Sequence, residues 1–572
     1  MLLNAGVDVN GKNNAGLTAL NAARLNGRGE AAARLQTKGA QEAPFPSSSA
    51  LIDNEYSSLK GKKAAGIAVL VAKDGKVLYK NGFGYSDIAK GEAITPETKF
   101  RIGSITKQFI GAAILKLQEE GKISTQDKLS KFLPDFPRGN EVAVHHLLTH
   151  TSGIHSYTNK NDFITKVTSP ISEVDLIELI KKDQYDFNPG ERFLYNNSGY
   201  FLLGHIIRKV TGKSFGEFLN EEFFGPVGMP NTGVYSTGLN LSKEAKGYKK
   251  ENGEYKADID WDMSWAGGAG ALYSTVEDLF RWNEALFNGK VLKPESMKAA
   301  FTPVVLNDGN MPVDGNYGYG WFMENYRGLD VAGHGGGLHG FSTRISRYTR
   351  ENLTVILLTN VLPTEVTLNP NTIAEFFLWE KMTAQTSYAV NAAVTEDVTP
   401  YAGRYAFPGG GVMTITAEGV SLFAQLTGQG RFPIFAAAPG EYFWKVVDAR
   451  VKFIKNEKGE VTHGDFSQNG ANLKIPKMPD EVIVSIDPAL LVWYVGKYDL
   501  GNDMKVTVTA EDGKLYAQTP TSPKFEIKPV SNTEFTLPEL NARLTFVREG
   551  NEKAGKFILD QAGQRKDAPR VE

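Results

Sequence analysis

A continuous apolar run, Gly66–Ala72, and a shorter mixed run, Lys76–Tyr79, flank the dipeptide Asp74-Gly75. Strand formers on both sides of such a turn predict a β-hairpin. From about Phe100 to Trp282 the apolar spacing changes to three and four. Tyr200, Leu203, Ile207 and Val210 mark one helix face, and Gly212 ends that helix. Ser274 with Glu277 reads as a capping box for a helix running to Leu286. Strand patterns return at Val331–His334, Phe341–Tyr348 and Leu353–Thr359, followed by a helix around Ile373, Phe376 and Phe377. An antiparallel sheet made from both ends of this segment, with a helical insertion between them, accounts for the order.

The C-terminal third alternates strand patterns with turn signals, and it repeats. Tyr401-Ala-Gly-Arg-Tyr405 recurs as Tyr494-Val-Gly-Lys-Tyr498, 93 residues on. The same offset carries Thr416-Ala417-Glu418 to Thr509-Ala510-Glu511, Ala424-Gln425 to Ala517-Gln518, and Ala449-Arg450 to Ala542-Arg543. A duplicated β module of roughly 90 residues suits a small antiparallel barrel, which closes its own edges.

The N-terminus carries a different repeat signal. Gly6 and Gly39 lie 33 residues apart, with Gly16-Leu17-Thr18-Ala19-Leu20 and Ala22-Ala23 between them. The stretch resembles one ankyrin repeat, with Ala19 and Asn21 where that pattern has Pro and His. One repeat cannot bury its own apolar face. It is therefore read either as the remnant of a partner-binding array that began upstream or as a cap on the next domain. Gln41–Ala50, rich in Pro and Ser, reads as a linker.

Composition narrows the classes. At 572 residues, 41% hydrophobic and 22% charged, the chain is globular, with length for several domains. Lys+Arg 63 against Asp+Glu 65 points to neither nucleic acid nor an acidic membrane. The absence of cysteine removes disulfides, thiolate metal sites and cysteine nucleophiles. No apolar run approaches the ~18 residues of a membrane span. The opening MLLNAGVDVN lacks the basic and apolar regions of a signal peptide. The expected location is cytoplasmic, or periplasmic or extracellular if a signal lies upstream.

The candidate chemistry centres on Phe100-Arg-Ile-Gly-Ser104-Ile-Thr-Lys107 at the start of an apolar-faced helix. Ser104 and Lys107 are one turn apart, so their side chains can meet. A serine hydroxyl needs a base, and a lysine kept neutral by burial can be one. A second S-x-x-K, Ser57–Lys60, reads as a solvated face. Two further signals select Ser104: Tyr195-Asn-Asn197 ahead of the Tyr200–Val210 helix, and His334-Gly-Gly336 on a strand pattern.

The order S-x-x-K, Y-x-N, H-x-G resembles the serine β-lactamase and penicillin-binding-protein superfamily. The likeness is to its class C-like branch with D-aminopeptidases and family VIII esterases, over about Ser48–Met382. His146-Leu-Leu-Thr-His-Thr-Ser-Gly153, Gly267–Trp282 and Tyr317–Trp321 add to it. The resemblance implies an α+β fold, a β-lactamase-like antiparallel sheet with a helical domain, followed here by two small all-β antiparallel barrels of lipocalin-like kind. It divides the chain into an ankyrin-repeat fragment (1–41), linker (42–50), catalytic domain (51–385) and barrels (398–480 and 486–572).

The resemblance also implies roles. Ser104 is acylated; Lys107 and Tyr195 share the work of base, and Tyr195 returns the proton to the leaving group. The oxyanion is held by the backbone N–H groups of Ser104 and Gly337. Asn197 bonds Lys107 and a substrate carbonyl, while His334 sits beside Tyr195, and His334 and Gly336 help bind substrate. No metal or cofactor is called for. A Lys-Thr-Gly third motif is absent, which weakens the case for β-lactams or a C-terminal carboxylate.

The expected substrates are small esters, amides or short peptides, including those with D-residues. The alternatives are a carboxylesterase without peptidase activity, a penicillin-binding or sensor protein that deacylates slowly, and an interaction protein with a dead hydrolase domain. Three look-alikes read as structural: Gly212-Lys-Ser214-Phe-Gly216, Tyr157-Thr-Asn159, and the cluster His145, His146, His150 and His155.

Overall fold

A computed structural model describes residues 8–160, 162–309, 311–312, 316–363, 366–384, 390–391, 393–407, 412–426, 429–447, 449–468, 471–479, 483–501, 504–520, 524–537, 542–550, 552–561 and 564–572. Gly6 and the boundaries drawn at 385 and 480 lie outside the described residues. The chain divides into two compact units, Met1–Ser387 and Tyr388–Glu572.

In the first unit a six-stranded antiparallel sheet runs, edge to edge, Phe322–Tyr326, Leu329–Leu338, Phe341–Tyr348, Leu353–Thr359, Ile67–Lys73 and Lys76–Phe83. The two ends of the segment meet in it, as Ile67 pairs with Thr359 and Lys73 with Leu353. Asp74 and Gly75 both take positive φ, 50° and 74°, as a tight hairpin turn between right-twisted strands requires. Both faces of the central strands are covered. Ile67, Val69 and Val71 pack with Leu353, Val355 and Leu357 against Ile373 and Leu378. Ala68, Leu70, Ile356 and Leu358 join a larger core with Phe109, Tyr200 and Trp282. Two buried faces explain why Gly66–Ala72 is continuously apolar and does not alternate.

The helices of the insertion follow the expected spacing. The Asn197–Thr211 helix is capped by the Asn196 side chain and ends on Gly212 at φ 73°. Ser214 and Glu217 form a capping box for Phe215–Leu219, the structural role expected of that look-alike. One boundary differs. The helix Val276–Phe287 is capped by Thr275, whose hydroxyl accepts from the Asp278 N–H at 3.2 Å. Ser274 ends the strand Leu272–Ser274, and its buried hydroxyl is engaged with Thr232 at 2.7 Å, so it is not free to cap.

Near the N-terminus, helices Ala19–Leu25 and Gly29–Thr37 form a pair. Asn21, in the place of the repeat's His, shares a reciprocal capping box with Thr18. Leu17 and Leu25 pack with Leu51, Phe45, Phe376 and Trp379, so this chain itself covers that apolar face. The helix Ser48–Glu55 begins within the segment expected to be linker, capped by Ser47.

The second unit holds two eight-stranded antiparallel sheets, each in simple sequence order. In each, the first strand reaches the last through a bridge, Tyr405 to Lys477 and Tyr498 to Arg570. Both are therefore nearly closed barrels. The repeated tyrosines do the same work in each: the Tyr405 hydroxyl donates to the Tyr401 carbonyl at 2.7 Å, and Tyr498 to that of Tyr494 at 2.8 Å. No helix among the described residues is long and apolar enough to cross a membrane.

Candidate active site

The strand Phe100–Arg101 pairs with Leu272–Ser274, turns through Gly103–Ile105, and enters the helix Thr106–Glu119. From Phe100 to Leu115 every residue is buried except Ser104, which is partly exposed at the helix start. Gly103 has φ 51°, and a Cβ there would sit 3.0 Å from the backbone nitrogen of Gly337. Only glycine lets the turn approach the strand Leu329–Leu338 this closely. Gly336 packs against the same turn, where a Cβ would meet the Ile102 carbonyl oxygen at 1.9 Å. The Thr343 hydroxyl donates to that carbonyl at 2.9 Å. The Gly337 backbone is thereby set against Gly103, next to Ser104. Pairing with Phe322–Tyr326 ends at Gly333, so one edge of His334–Leu338 has no strand beside it among the described residues.

Lys107 is completely buried, and its Nζ has three neighbours at hydrogen-bond distance. These are Ser104 Oγ at 2.9 Å, Asn197 Oδ1 at 2.9 Å and the Ala269 carbonyl at 2.8 Å. No carboxylate is among them, so nothing offsets the cost of burying a charge. Burial holds the amino group well below its usual pKa. The Asn197 amide is oriented from its other end, where Nδ2 donates to Thr158 Oγ1 at 3.0 Å.

Tyr195 is partly exposed, with its ring 4.8 Å from Lys107 Nζ. Burial raises its phenol pKa, opposed by a side-chain hydrogen bond to Ser104. The phenol is therefore protonated at rest, within reach of the serine.

His334 is buried, and its Nε2 meets the Tyr317 hydroxyl at 2.9 Å; the Tyr195 ring centroid is 6.1 Å away. Its Nδ1 lies 2.6 Å from the Gly335 carbonyl, which accepts the ring proton and leaves Nε2 to accept from Tyr317. Burial, with Lys107 nearby, lowers the His334 pKa to about 3, so the imidazole is neutral.

The histidine cluster disperses into separate contacts. His145 Nδ1 meets Tyr319, His146 Nδ1 accepts from the Ala143 N–H, His150 Nδ1 accepts from the Asn196 N–H, and His155 pairs with Asp186. Tyr157-Thr-Asn159, read as a look-alike, stands beside the site: Thr158 orients Asn197, and the Tyr157 hydroxyl donates to the Trp265 carbonyl. Tyr317 and Trp321 are core residues. Sequence reasoning gave Ala269, Thr158, Tyr317 and His150 no role of their own in the site. Ala269, His150 and Tyr317 lie in the supporting stretches Gly267–Trp282, His146–Gly153 and Tyr317–Trp321, and Thr158 lies in the look-alike Tyr157-Thr-Asn159.

An antiparallel sheet made from both ends of the segment, with helices on both faces, is the fold of β-lactamases and penicillin-binding proteins, a class of serine hydrolases. The chain belongs to the Beta-lactamase family, whose profile matches residues 52–376. Residues 388–475 match a domain of unknown function, DUF3471. A penicillin-binding protein of Bacillus subtilis strain 168 is 30% identical over 436 residues, covering 70% of this chain and 94% of that protein. Protein flp of Staphylococcus aureus is 30% identical over 305 residues, 52% of this chain and 59% of its own length.

Solved structures that share the fold include the following two. The octameric penicillin-binding protein homologue of Pyrococcus abyssi aligns with TM-score 0.52 at 23% identity, over 83% of this chain and 98% of its own. The D-amino acid amidase of Ochrobactrum anthropi SV3, in complex with D-phenylalanine, aligns with TM-score 0.51 at 22% identity, over 58% and 98%.

Proposed function

We propose that the protein hydrolyses small esters or amides, including peptides with D-residues, through an acyl-enzyme on Ser104. The observation that carries this reading is the set of three contacts at Lys107. A neutral amino group has two N–H donors and one lone pair. Asn197 Oδ1 and the Ala269 carbonyl can only accept, so they take both donors. The lone pair is left facing Ser104 Oγ.

Lys107 then takes the hydroxyl proton as Oγ attacks the substrate carbonyl. The tetrahedral oxyanion is held by the backbone N–H groups of Ser104 and Gly337. Tyr195, protonated at rest, gives its proton to the leaving oxygen or nitrogen and is refilled from the Lys107 ammonium. Water attacks the acyl-enzyme by the same relay run in reverse, returning a neutral lysine. The strand edge at His334–Leu338, which no strand among the described residues pairs, suits an extended acyl group, with Gly336 fixing the edge against the turn. Neutral His334 offers no cation to a substrate carboxylate, which favours neutral esters and amides.

A second reading, acylation by penicillin with slow deacylation, is supported by the penicillin-binding relative that aligns over 94% of its length. The test is one panel run on the parent protein and Ser104→Ala: p-nitrophenyl acetate and butyrate, D- and L-alanine p-nitroanilide, and nitrocefin. Turnover of the D-anilide above the L-form supports the D-peptide reading, and ester turnover alone supports a carboxylesterase. A stable penicillin adduct on Ser104 without turnover favours the second reading. Turnover surviving in Ser104→Ala overturns both.

A further inference from the structure

His150 holds Tyr195 by one ring contact and by a hydrogen bond to each of its chain neighbours. Its carbonyl accepts from the Leu194 N–H at 3.0 Å, and its Nδ1 accepts from the Asn196 N–H at 3.0 Å. Both peptide neighbours of Tyr195 are thus fastened to one residue. The imidazole also lies against the Tyr195 ring, with centroids 4.3 Å apart and planes at 37°. Its other sides meet Tyr317 at 4.6 Å, Tyr200 at 5.2 Å and Phe193 at 5.8 Å.

His150 is held in an uncommon state to make these contacts. Its φ is 59°, the left-handed region that side chains rarely adopt, and it is 1% exposed. Because Nδ1 accepts, the single ring proton is on Nε2, which has no hydrogen-bond partner among the described residues. The groups facing it are the three tyrosines, Lys107 and His334. Burial, then Lys107 and His334, hold the ring well below its usual pKa.

We infer that His150 is a positioning residue that fixes the Tyr195 phenol between Ser104 and the leaving atom. This rests on the reading of Ser104 and Tyr195 given above. A proton carrier has to stand at hydrogen-bond distance from both atoms, and a misplacement of about 1 Å can cost about 10²-fold in rate. An apolar residue of equal size would fill the space yet leave the buried Asn196 N–H unpaired. A protonated ring would lose the Nδ1 acceptor. The position requires an acceptor at Nδ1, a flat side chain and tolerance of left-handed φ, which histidine and asparagine share.

The test compares His150→Asn, which keeps an acceptor near Nδ1, with His150→Gly, which tolerates the backbone but removes the side chain. His150→Gln, whose amide oxygen falls near Nε2, replaces the glycine variant if that one does not fold. Each is made in the parent and in Tyr195→Phe, and folding is checked by circular dichroism. The kcat and KM for p-nitrophenyl acetate are normalised to serine titrated with a fluorescent fluorophosphonate. In the parent, His150→Gly is expected to lower kcat about 10²-fold with KM within about threefold, and His150→Asn to recover most of that loss. In Tyr195→Phe the glycine change is expected to cost nothing further. Parental kcat per titrated serine in His150→Gly, or an equal loss in the Tyr195→Phe background, overturns the inference. Failure of the underlying reading is distinct, because there Ser104→Ala or Tyr195→Phe retains the parental rate.

Discussion

Lys107 Nζ stands 2.9 Å from Ser104 Oγ at the buried end of one helical turn, and its two other partners are both acceptors. The geometry uses a property that lysine has and arginine lacks, the ability to lose its proton when desolvated. Lys107→Arg keeps the charge and removes the base. It is expected to lower kcat/KM for p-nitrophenyl acetate by at least about 10²-fold. A variant within threefold of the parent, per titrated serine, would remove Lys107 from the role of base.

The same burial has a cost in stability. Between the lowered folded pKa of Lys107 and its ordinary 10.5, the unfolded chain binds a proton that the folded protein does not. Unfolding then takes up a proton, and stability rises with pH across that window. Lys107→Met deletes this dependence. It is expected to melt above the parent near neutral pH, with the gap narrowing as pH rises toward about 10.5. Melting curves from about pH 6 to about pH 10 measure it, and a gap that stays constant means that the buried lysine keeps its charge.

Gly103→Ala probes the approach of the turn to the strand. The added Cβ would be 3.0 Å from Gly337 nitrogen at a positive φ, so the turn and strand have to part. Loss of one oxyanion donor costs about 10²–10³-fold in kcat. The expected result is a loss of that size with KM little changed. Gly91→Ala, at another positive-φ glycine whose Cβ meets nothing within 4 Å, controls for backbone strain alone.

Local features of the site were legible in the sequence, and contacts between distant segments were not. The Ser104–Lys107 spacing is a property of one helical turn, and Asn196 followed by an apolar face marks a helix start wherever it occurs. The partner of Lys107 at Ala269 is a carbonyl 162 residues away, and every residue type has a carbonyl. Tyr157-Thr-Asn159 has no apolar helix behind it and so reads as a look-alike, yet what Thr158 supplies is a hydroxyl, for which no helix is needed. At the Val276 helix, Ser274 and Thr275 are both good caps, and only the position of Thr232 decides between them. The hairpin at Asp74-Gly75 and the 93-residue repeat were legible because turn chemistry and repetition are written locally.

The repeated corner gives a prediction outside the site. Tyr405→Phe and Tyr498→Phe each remove a hydroxyl that satisfies a carbonyl four residues earlier, in a fully buried corner. Each is expected to destabilise its own barrel by about 1 kcal/mol, by similar amounts. Urea unfolding followed by tryptophan fluorescence checks this; a large effect in one barrel and none in the other would mean that the two corners are not equivalent.

The neutrality of the groups around Ser104 reaches beyond the proton relay. Lysine without its charge, a protonated phenol and an uncharged imidazole add almost no field of their own, and with Lys107 neutral the charge acting on His334 is the Arg344 guanidinium. Added salt then screens the charge of Arg344 and has little to screen in those three groups themselves.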